Sequence, residues 1–147
     1  MIQFCKTKPN GVIPTRAGPE EVGYDLSLIE YEQPVGVNSH MFDTGISVQP
    51  PPGYFSMVVP RSSIVRRSVF LTNSVGIIDP TYTGSIKVVL SEMTSGAIDS
   101  LKYHFPIKLC QLLFLPMLPA SMESVEVLAL TETNRNSGGF GSTDARK

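Results

Sequence analysis

The pattern that decides the fold is a turn followed directly by a short apolar strand. It is clearest in the stretch Pro50-Pro51-Pro52-Gly53-Tyr54-Phe55-Ser56-Met57-Val58-Val59. Pro and Gly interrupt regular structure, whereas aromatic and β-branched residues favour strands. The same alternation recurs on both sides of this stretch, with 12 Gly and 12 Pro spread along 147 residues. Such spacing is typical of a β-sandwich or β-barrel. We expect short strands over Ile2–Lys6, Tyr24–Ile29, Gly45–Val48, Tyr54–Val59, Ser85–Leu90, Leu109–Leu115 and Ser124–Ala129.

Helical signals are weak. No window of about 15 residues is both free of Gly and Pro and periodic at about 3.6 residues, which argues against a helical bundle. One short helical turn is predicted over Ser62–Arg67, where a serine could cap free N–H groups. Asp79–Gly84 is predicted as a connection that could also be the tip of a hairpin.

Length and charge limit the class of protein. The chain has 12 Lys and Arg against 13 Asp and Glu, a net charge of −1. This balance argues against broad nucleic-acid binding, which needs a basic face. No apolar run approaches the ~20 residues of a membrane span, and the beginning has no signal-peptide pattern. We expect one soluble domain that binds neither nucleic acid nor membrane and is cytoplasmic or nuclear.

The low charge content predicts subunit contacts. Charged residues make up 17% of the chain, against about 25% in typical soluble domains. Part of the surface is therefore expected to be buried between subunits. Cys5 and Cys110 both lie in apolar stretches, so we expect two buried, reduced thiols rather than a disulfide.

The end of the chain differs in composition. Thr131–Lys147 contains Phe140 as its one large apolar residue, so we predict a barrel over residues 1–130 and a mobile arm over 131–147. Within the arm, Arg135–Thr143 combines an arginine, glycines and hydroxyls, which suits phosphate binding. The alternative is an inert, disordered end.

Four further clusters carry polar groups where the sequence is otherwise apolar. Asp25 lies in a predicted strand, where it either serves a site or forms a salt bridge. Pro60–Ser63 ends a strand with a guanidinium and two hydroxyls, which suits an anion or an ordinary capped turn. Asn73–Gly84 presents an acid and an aromatic residue at a turn. Gln111 is a lone amide in an apolar strand and could equally be a hydrogen-bonded core residue.

Taken together and in this order, the clusters resemble the five motifs of the trimeric dUTPase family, the dUTP nucleotidohydrolases. The resemblance runs from about Pro14 to Thr143, nearly the whole chain. The matching stretches are Gly23–Leu26, Pro60–Ser63, Ile78–Gly84, Cys110–Leu112 and Arg135–Thr143.

The resemblance implies an all-β, jelly-roll-like barrel with one short helix and a flexible C-terminal arm. It implies a homotrimer whose active sites are shared, the Asp79–Tyr82 hairpin coming from one subunit, the Arg61 and Gln111 motifs from a second and the arm from a third. The implied reaction is hydrolysis of dUTP to dUMP and pyrophosphate with Mg²⁺. It would keep uracil out of DNA and supply dUMP for dTMP synthesis.

Catalytic roles also follow from the resemblance. Asp79 is expected to activate the water that attacks the α-phosphorus, since an ionised carboxylate can accept its proton. Asp25 is expected to steady Mg²⁺ through bound waters. Arg61 and Gln111 are expected to be catalytic residues that donate hydrogen bonds to phosphate oxygens. Ser62 and Ser63 are expected to bind phosphate oxygens as well.

The remaining expected contacts concern the nucleoside and the closing arm. Tyr82 is expected beneath the deoxyribose, and Lys87 either contacts substrate or is a solvated surface lysine. Phe140 is expected to stack on uracil. The uracil edge would meet Asn73, Gly76, Ile77 and Ile78, and the arm would add Arg135, Gly141, Ser142 and Thr143.

Two alternatives stay open. A dCTP deaminase-type relative would share the barrel and use a core glutamate, for which Glu92 is the candidate. A dUTPase-like barrel could also be kept as a nucleotide-sensing or protein-binding module.

Overall fold

The computed structural model describes residues 1–118, 120, 121 and 124 of the chain. This part contains ten β-strands, a 3₁₀ helix over Ser62–Arg67 and a short α-helix, α1, over Ala97–Lys102. The strands are β1 (Gln3–Lys6), β2 (Tyr24–Leu28), β3 (Glu30–Pro34), β4 (Ser39–Asp43), β5 (Ile46–Gln49), β6 (Tyr54–Pro60), β7 (Val69–Leu71), β8 (Gly76–Ile78), β9 (Lys87–Glu92) and β10 (Ile107–Pro116).

The strands form two four-stranded antiparallel sheets and one small pair. The first sheet has the order β2-β10-β6-β8, the second has the order β3-β4-β9-β7, and β1 pairs with β5. Both large sheets contribute to one apolar core, whose members include Leu26, Phe42, Val58, Leu90 and Leu112. At the turn that leads into β6, Gly53 has a φ of 80°, a backbone conformation that favours glycine.

The first sheet has a second apolar surface on the side away from this core. Side chains alternate between the two faces of a strand, and the buried Val58 and Leu112 face each other across β6 and β10. Their neighbours along the strands therefore lie on the opposite face, which we call the outer apolar face. It consists of Phe55, Met57, Val59, Ile77, Leu113 and Leu115, all partly or largely exposed.

Most of the strand predictions are confirmed within one or two residues. Six predicted strands correspond to β1, β2, β5, β6, β9 and β10, whereas the one predicted over Ser124–Ala129 lies outside the described residues apart from Ser124. The sequence missed β3, β4, β7, β8 and α1. β3 and β4 are rich in polar residues, and β7 and β8 have three residues each, so their stability comes from neighbouring strands rather than from local preference.

Three local expectations are wrong. Asp79–Gly84 is not a hairpin tip, because β8 pairs with β6 in the first sheet and β9 pairs with β4 and β7 in the second. The 3₁₀ helix forms where predicted, but Arg61 is its N-cap and no side chain caps it. Cys5 is exposed because it lies on the small β1–β5 pair, whereas Cys110 is buried in the first sheet as expected.

Both cysteines are free thiols. Burial raises the pKa of the Cys110 thiol to about 12, so it is an unreactive core group. Neither of the described helices has the length and apolar content to cross a membrane.

Candidate functional site

Asp25 is the centre of an ion-pair cluster at one end of the first sheet. Its Oδ1 lies 2.8 Å from Nε of Arg61, and its Oδ2 lies 3.2 Å from Nζ of Lys108. The strands bring these residues together, because Asp25 on β2 faces Gln111 on β10, and Gln111 faces Val59 near the end of β6. Of the two alternatives for Asp25, the structure shows the salt bridge, and this salt bridge joins two of the predicted site motifs.

Gln111 lies beside this cluster with its amide held by the backbone. Its Nε2 donates to the carbonyl of Pro60 at 3.2 Å. Gly23 leaves the space for it, since a Cβ at Gly23 would lie 2.0 Å from Oε1 of Gln111. Gln111 is partly exposed rather than a core residue, so its amide is available at the surface.

These groups line a cleft of 370 Å³ at the end of the sheet. The predicted residues there are Asp25, Arg61, Ser62 and Gln111, and the sequence did not identify Arg16 and Glu21, which also line it. Arg16 reaches the cleft because Thr15 forms a β-bridge with Asp25, where the Asp25 amide donates to the Thr15 carbonyl at 2.8 Å. No local pattern signals this bridge. Glu21 and Asp25 also line the cleft, but its two guanidinium groups and the Ser62 hydroxyl are donors suited to an anion, and we call it the anion cleft.

Asp79 and Tyr82 lie in the connection from β8 to β9, which we call the Asp79 loop, residues 79–85. Asp79 is exposed, and its carbonyl accepts a hydrogen bond from the Tyr82 amide at 3.0 Å. The Tyr82 hydroxyl donates to the carbonyl of Ser85 at 2.8 Å. The ring lies close to Gly84, where a Cβ would be 2.6 Å from the Tyr82 oxygen. Tyr82 also borders a separate cavity of 490 Å³ next to β1 and β5.

Within one chain, the Asp79 loop and the anion cleft lie at opposite ends of β6. Ile78 faces Ser56, so Asp79 leaves the sheet near Phe55, at the beginning of β6. Arg61 follows the other end of the same strand. About six residues of strand, at about 3.3 Å each, place them roughly 20 Å apart.

The other predicted residues are distributed between these regions. Gly76, Ile77 and Ile78 form β8, and Asn73 lies in the turn before it, where Ser74 has a φ of 60°. Ser63 lines a neighbouring groove of 300 Å³ with Arg66, Arg67 and Lys108 rather than the anion cleft. Arg135, Phe140, Gly141, Ser142 and Thr143, together with the boundary at residue 130, lie outside the described residues.

Lys87 is part of a second ion-pair network and is not a solvated surface lysine. Its Nζ lies 2.7 Å from Oδ2 of the buried Asp43 and also contacts Glu32. Lys8 contacts the same Asp43 oxygen at 2.8 Å, and it contacts Glu30 as well. No local sequence pattern predicts this network, because its members come from separate strands and loops.

The network determines the ionisation of Asp43 and its partners. Burial alone would raise the pKa of Asp43, but hydrogen bonds from Lys8, Lys87, Ser85 and the Gly45 amide hold that pKa well below its usual range. Hydrogen bonds to Asp43 and Glu30 raise the pKa of Lys8. Burial lowers the pKa of Lys87, yet its bonds to Asp43 and Glu32 raise it overall. All three groups are therefore charged at neutral pH.

Two places in the described part of the chain offer carboxylate oxygens to a divalent cation, a three-residue cluster and Asp25. Glu30, Glu32 and Asp43 bring three carboxylates together. Ammonium groups of Lys8 and Lys87 already contact them, so this cluster does not fit a cation. Asp25 is also paired with two cationic side chains, Arg61 and Lys108, but its carboxylate borders the anion cleft and is a quarter exposed. Of the two places, it is therefore the one where a hydrated Mg²⁺ beside a bound anion would fit. Each of its oxygens retains a lone pair for a metal-bound water.

The fold and site define a jelly-roll-like β-protein. Its anion cleft lies at one end of β6, and a loop with the exposed Asp79 lies at the other end. The family model of dUTPase matches residues 10–144. The chain belongs to the dUTPase family, which confirms the resemblance, the fold class and the enzyme class inferred from the motifs.

Relatives in phage and human agree with this assignment. The deoxyuridine 5'-triphosphate nucleotidohydrolase of Escherichia phage T5 is 39% identical over 99% of this chain and 100% of its own. The human mitochondrial enzyme of that name is 33% identical over 97% of this chain and 54% of its own.

Solved structures share the fold. The dUTPase of Staphylococcus bacteriophage 80alpha with dUPNHPP has a TM-score of 0.78, 20% identity and 97% coverage of both chains. A dUTPase from phage phi11 of S. aureus, described with a structural Mg(II) ion, has a TM-score of 0.68 and 19% identity, covering 86% of this chain and 97% of its own.

Proposed function

We propose that this protein hydrolyses dUTP to dUMP and pyrophosphate as a homotrimer whose active sites combine residues of neighbouring subunits. The observation that carries the proposal is the distance of roughly 20 Å along β6 between the Asp79 loop and the anion cleft. One substrate cannot meet both within a single chain, whereas two copies can bring them together. The reaction would lower the dUTP available to DNA synthesis and supply dUMP for dTMP synthesis.

The outer apolar face supports assembly. The side chain of Ile77 is 57% exposed. Its apolar neighbours on β6 and β10 are partly exposed. Exposed apolar patches of this kind mark protein–protein contacts. Asp25 and Gln111 lie in one row with Val59 of this face, so a subunit docked there would border the anion cleft.

In the proposed mechanism, the cleft holds the triphosphate. Arg61 offers a planar fork of donors to phosphate oxygens, and its pairing with Asp25 fixes the direction of that fork. Gln111 and Ser62 add neutral donors beside it, and Ser63 and Arg135 would reach the outer phosphates. Donors fixed in place stabilise the charge that develops at phosphorus during the reaction.

Asp79 of a neighbouring subunit is the proposed base. It is exposed on its loop, so its carboxylate can meet a water near a substrate bound on another chain. It would take a proton from this water as the oxygen attacks the α-phosphorus. Pyrophosphate then leaves, and the water oxygen stays on dUMP.

The proposed contact between this chain and Mg²⁺ is made by Asp25. The ion, when bound to the triphosphate, neutralises phosphate charge. Asp25 would accept hydrogen bonds from its waters while keeping the pairs to Arg61 and Lys108. Those pairs hold the carboxylate at the edge of the cleft.

Base and sugar selection are assigned to β8 and the Asp79 loop. The backbone from Asn73 to Ile78 would pair with the uracil edge, and cytosine would leave polar groups there unpaired. Tyr82 would lie beneath the deoxyribose and leave no room for a ribose 2′-OH. The arm would close over the nucleotide, with Phe140 stacked on uracil and with Gly141, Ser142 and Thr143 near the phosphates.

The observations do not favour the deaminase alternative. Glu92, its candidate residue, accepts a hydrogen bond from the Ile98 amide at 3.3 Å and lies at the end of β9 beside β7. It is occupied in holding α1 and is not among the residues that line the anion cleft.

Pyrophosphate release from dUTP, dCTP, dTTP and UTP tests the proposal, each measured with Mg²⁺ and with EDTA. We expect hydrolysis of dUTP alone, and only with Mg²⁺. Release from dCTP or UTP at a comparable rate would contradict the proposed pocket. Binding of dUTP without hydrolysis would instead indicate a sensing or binding module.

A further inference from the structure

Asp43 is a buried carboxylate at the end of β4 to which the proposed mechanism gives no role. Its side chain is wholly buried. It accepts hydrogen bonds from the Gly45 amide at 2.8 Å and from the Ser85 hydroxyl, in addition to its two lysine partners. A buried charge with this many donors is held in one arrangement, because losing any donor leaves the carboxylate poorly compensated.

Ser85 connects this fixed carboxylate to the Asp79 loop. Its hydroxyl donates to Asp43, and its backbone carbonyl accepts the hydrogen bond from the Tyr82 hydroxyl. The Tyr82 amide in turn donates to the Asp79 carbonyl. These hydrogen bonds therefore connect the buried Asp43 to the Tyr82 side chain and to the main chain of Asp79.

Two hydroxyl side chains that follow Asp43 in sequence bond to the main chain of the same loop and of the residue before β9. The Ser47 hydroxyl donates to the Thr83 carbonyl at 3.0 Å, and the Thr44 hydroxyl donates to the Ile86 carbonyl at 2.9 Å. The contact of Ser85 with Asp43 differs from these, since a side chain of the loop makes it. It can be removed by a single substitution that leaves the backbone contacts in place.

We infer that Asp43, acting through Ser85, is a positioning residue that fixes Tyr82 and thereby sets the preference for deoxyribose over ribose. This inference rests on the proposed hydrolysis of dUTP, in which Tyr82 lies beneath the sugar. A ring held by its hydroxyl to a fixed carbonyl cannot withdraw to admit a 2′-OH. Without the contact to Asp43, Ser85 and the ring gain alternative positions, and ribose is excluded less strictly.

The test compares kcat/KM for dUTP and UTP in the full-length chain. Ser85→Ala removes the hydroxyl, Ser85→Thr keeps it, and Ser39→Ala is the matched control. Ser39 lies on β4, the strand that ends at Asp43, and its hydroxyl hydrogen-bonds to the Ser91 hydroxyl away from the loop. We expect Ser85→Ala to reduce the dUTP/UTP ratio about tenfold, which is the order of effect expected from the loss of one hydrogen bond. Ser85→Thr and Ser39→Ala should retain the wild-type ratio.

A double variant separates positioning of Tyr82 from a general loss of structure. In a Tyr82→Phe background the hydroxyl that contacts Ser85 is absent, so adding Ser85→Ala should reduce the ratio no further. A second reduction of about tenfold would show that Ser85 acts by another route and would overturn the inference.

The outcomes distinguish this inference from the function on which it rests. Wild-type protein that leaves dUTP intact overturns the proposed function and the inference with it. Active wild-type protein with a Ser85→Ala ratio equal to the Ser39→Ala control overturns the inference alone. If Ser85→Ala fails to fold, Ser85→Cys, whose thiol is only a weak donor, is measured in the same way, and a wild-type ratio in that variant would likewise overturn it.

Discussion

Gly23→Ala is expected to displace the Gln111 amide while leaving the protein folded. The new Cβ would lie 2.0 Å from Oε1 of Gln111, whereas ordinary contact begins at 3.4 Å. The amide oxygen must therefore move by about 1.4 Å. Displacements of about 1 Å in a positioned group can cost roughly 10²-fold in rate, so we expect kcat/KM for dUTP to fall by about that factor.

Stability should change little, because the amide can rotate into solvent. The variant loses the hydrogen bond from Gln111 to Pro60, worth about 1 kcal/mol, or a Tm change of about 2–4 °C. Gly18→Ala is the matched control, since no atom lies within 4 Å of a Cβ there. Steady-state kinetics and thermal melting decide the matter. A folded Gly23→Ala variant as active as Gly18→Ala would refute the proposed role of Gln111.

Three further predictions concern the base, the buried network and the outer apolar face. Asp79→Asn should reduce turnover roughly 10²–10⁴-fold while dUTP still binds, and near-normal turnover would exclude Asp79 as the base. Folding lowers the pKa of Asp43. The ionised carboxylate therefore stabilises the folded protein above about pH 4, and this stabilisation is lost as the pH falls towards the pKa of Asp43 in the folded protein. Asp43→Asn should therefore cost about 2 kcal/mol in urea unfolding at pH 7 and less at pH 3, and an equal cost at both would contradict this. Leu113→Lys should convert trimers to monomers in sedimentation, whereas Tyr103→Lys, at a position 87% exposed and outside that face, should not; trimers in both would contradict the assigned interface.

The sequence predicted those parts of the site that short motifs specify. Asp25, Arg61 and Gln111 belong to three separate motifs, and the strands bring them together. Strands with alternating apolar residues, such as β6 and β10, were predicted for the same reason. In these cases local chemistry and tertiary structure favour the same outcome.

Features that depend on distant contacts were not predicted. Arg16 lines the cleft through one isolated bridge to β2. Asp43 lies on a polar strand whose existence depends on its neighbours, and its lysine partners come from two distant parts of the chain. The Asp79 loop contains residues that are common in hairpin turns, so a hairpin was a natural prediction. It is wrong because β8 and β9 belong to different sheets, which local sequence does not reveal.

The measurement that tests the central claim most directly is complementation between two inactive variants. Asp79→Asn and Arg61→Gln chains carrying different tags are co-expressed, and trimers that contain both tags are purified. If each site takes Asp79 from one subunit and Arg61 from another, one of the three sites is intact in every trimer that contains both tags. We predict that these trimers hydrolyse dUTP far faster than either variant alone. Mixed trimers no more active than the separate variants would contradict a site shared between subunits.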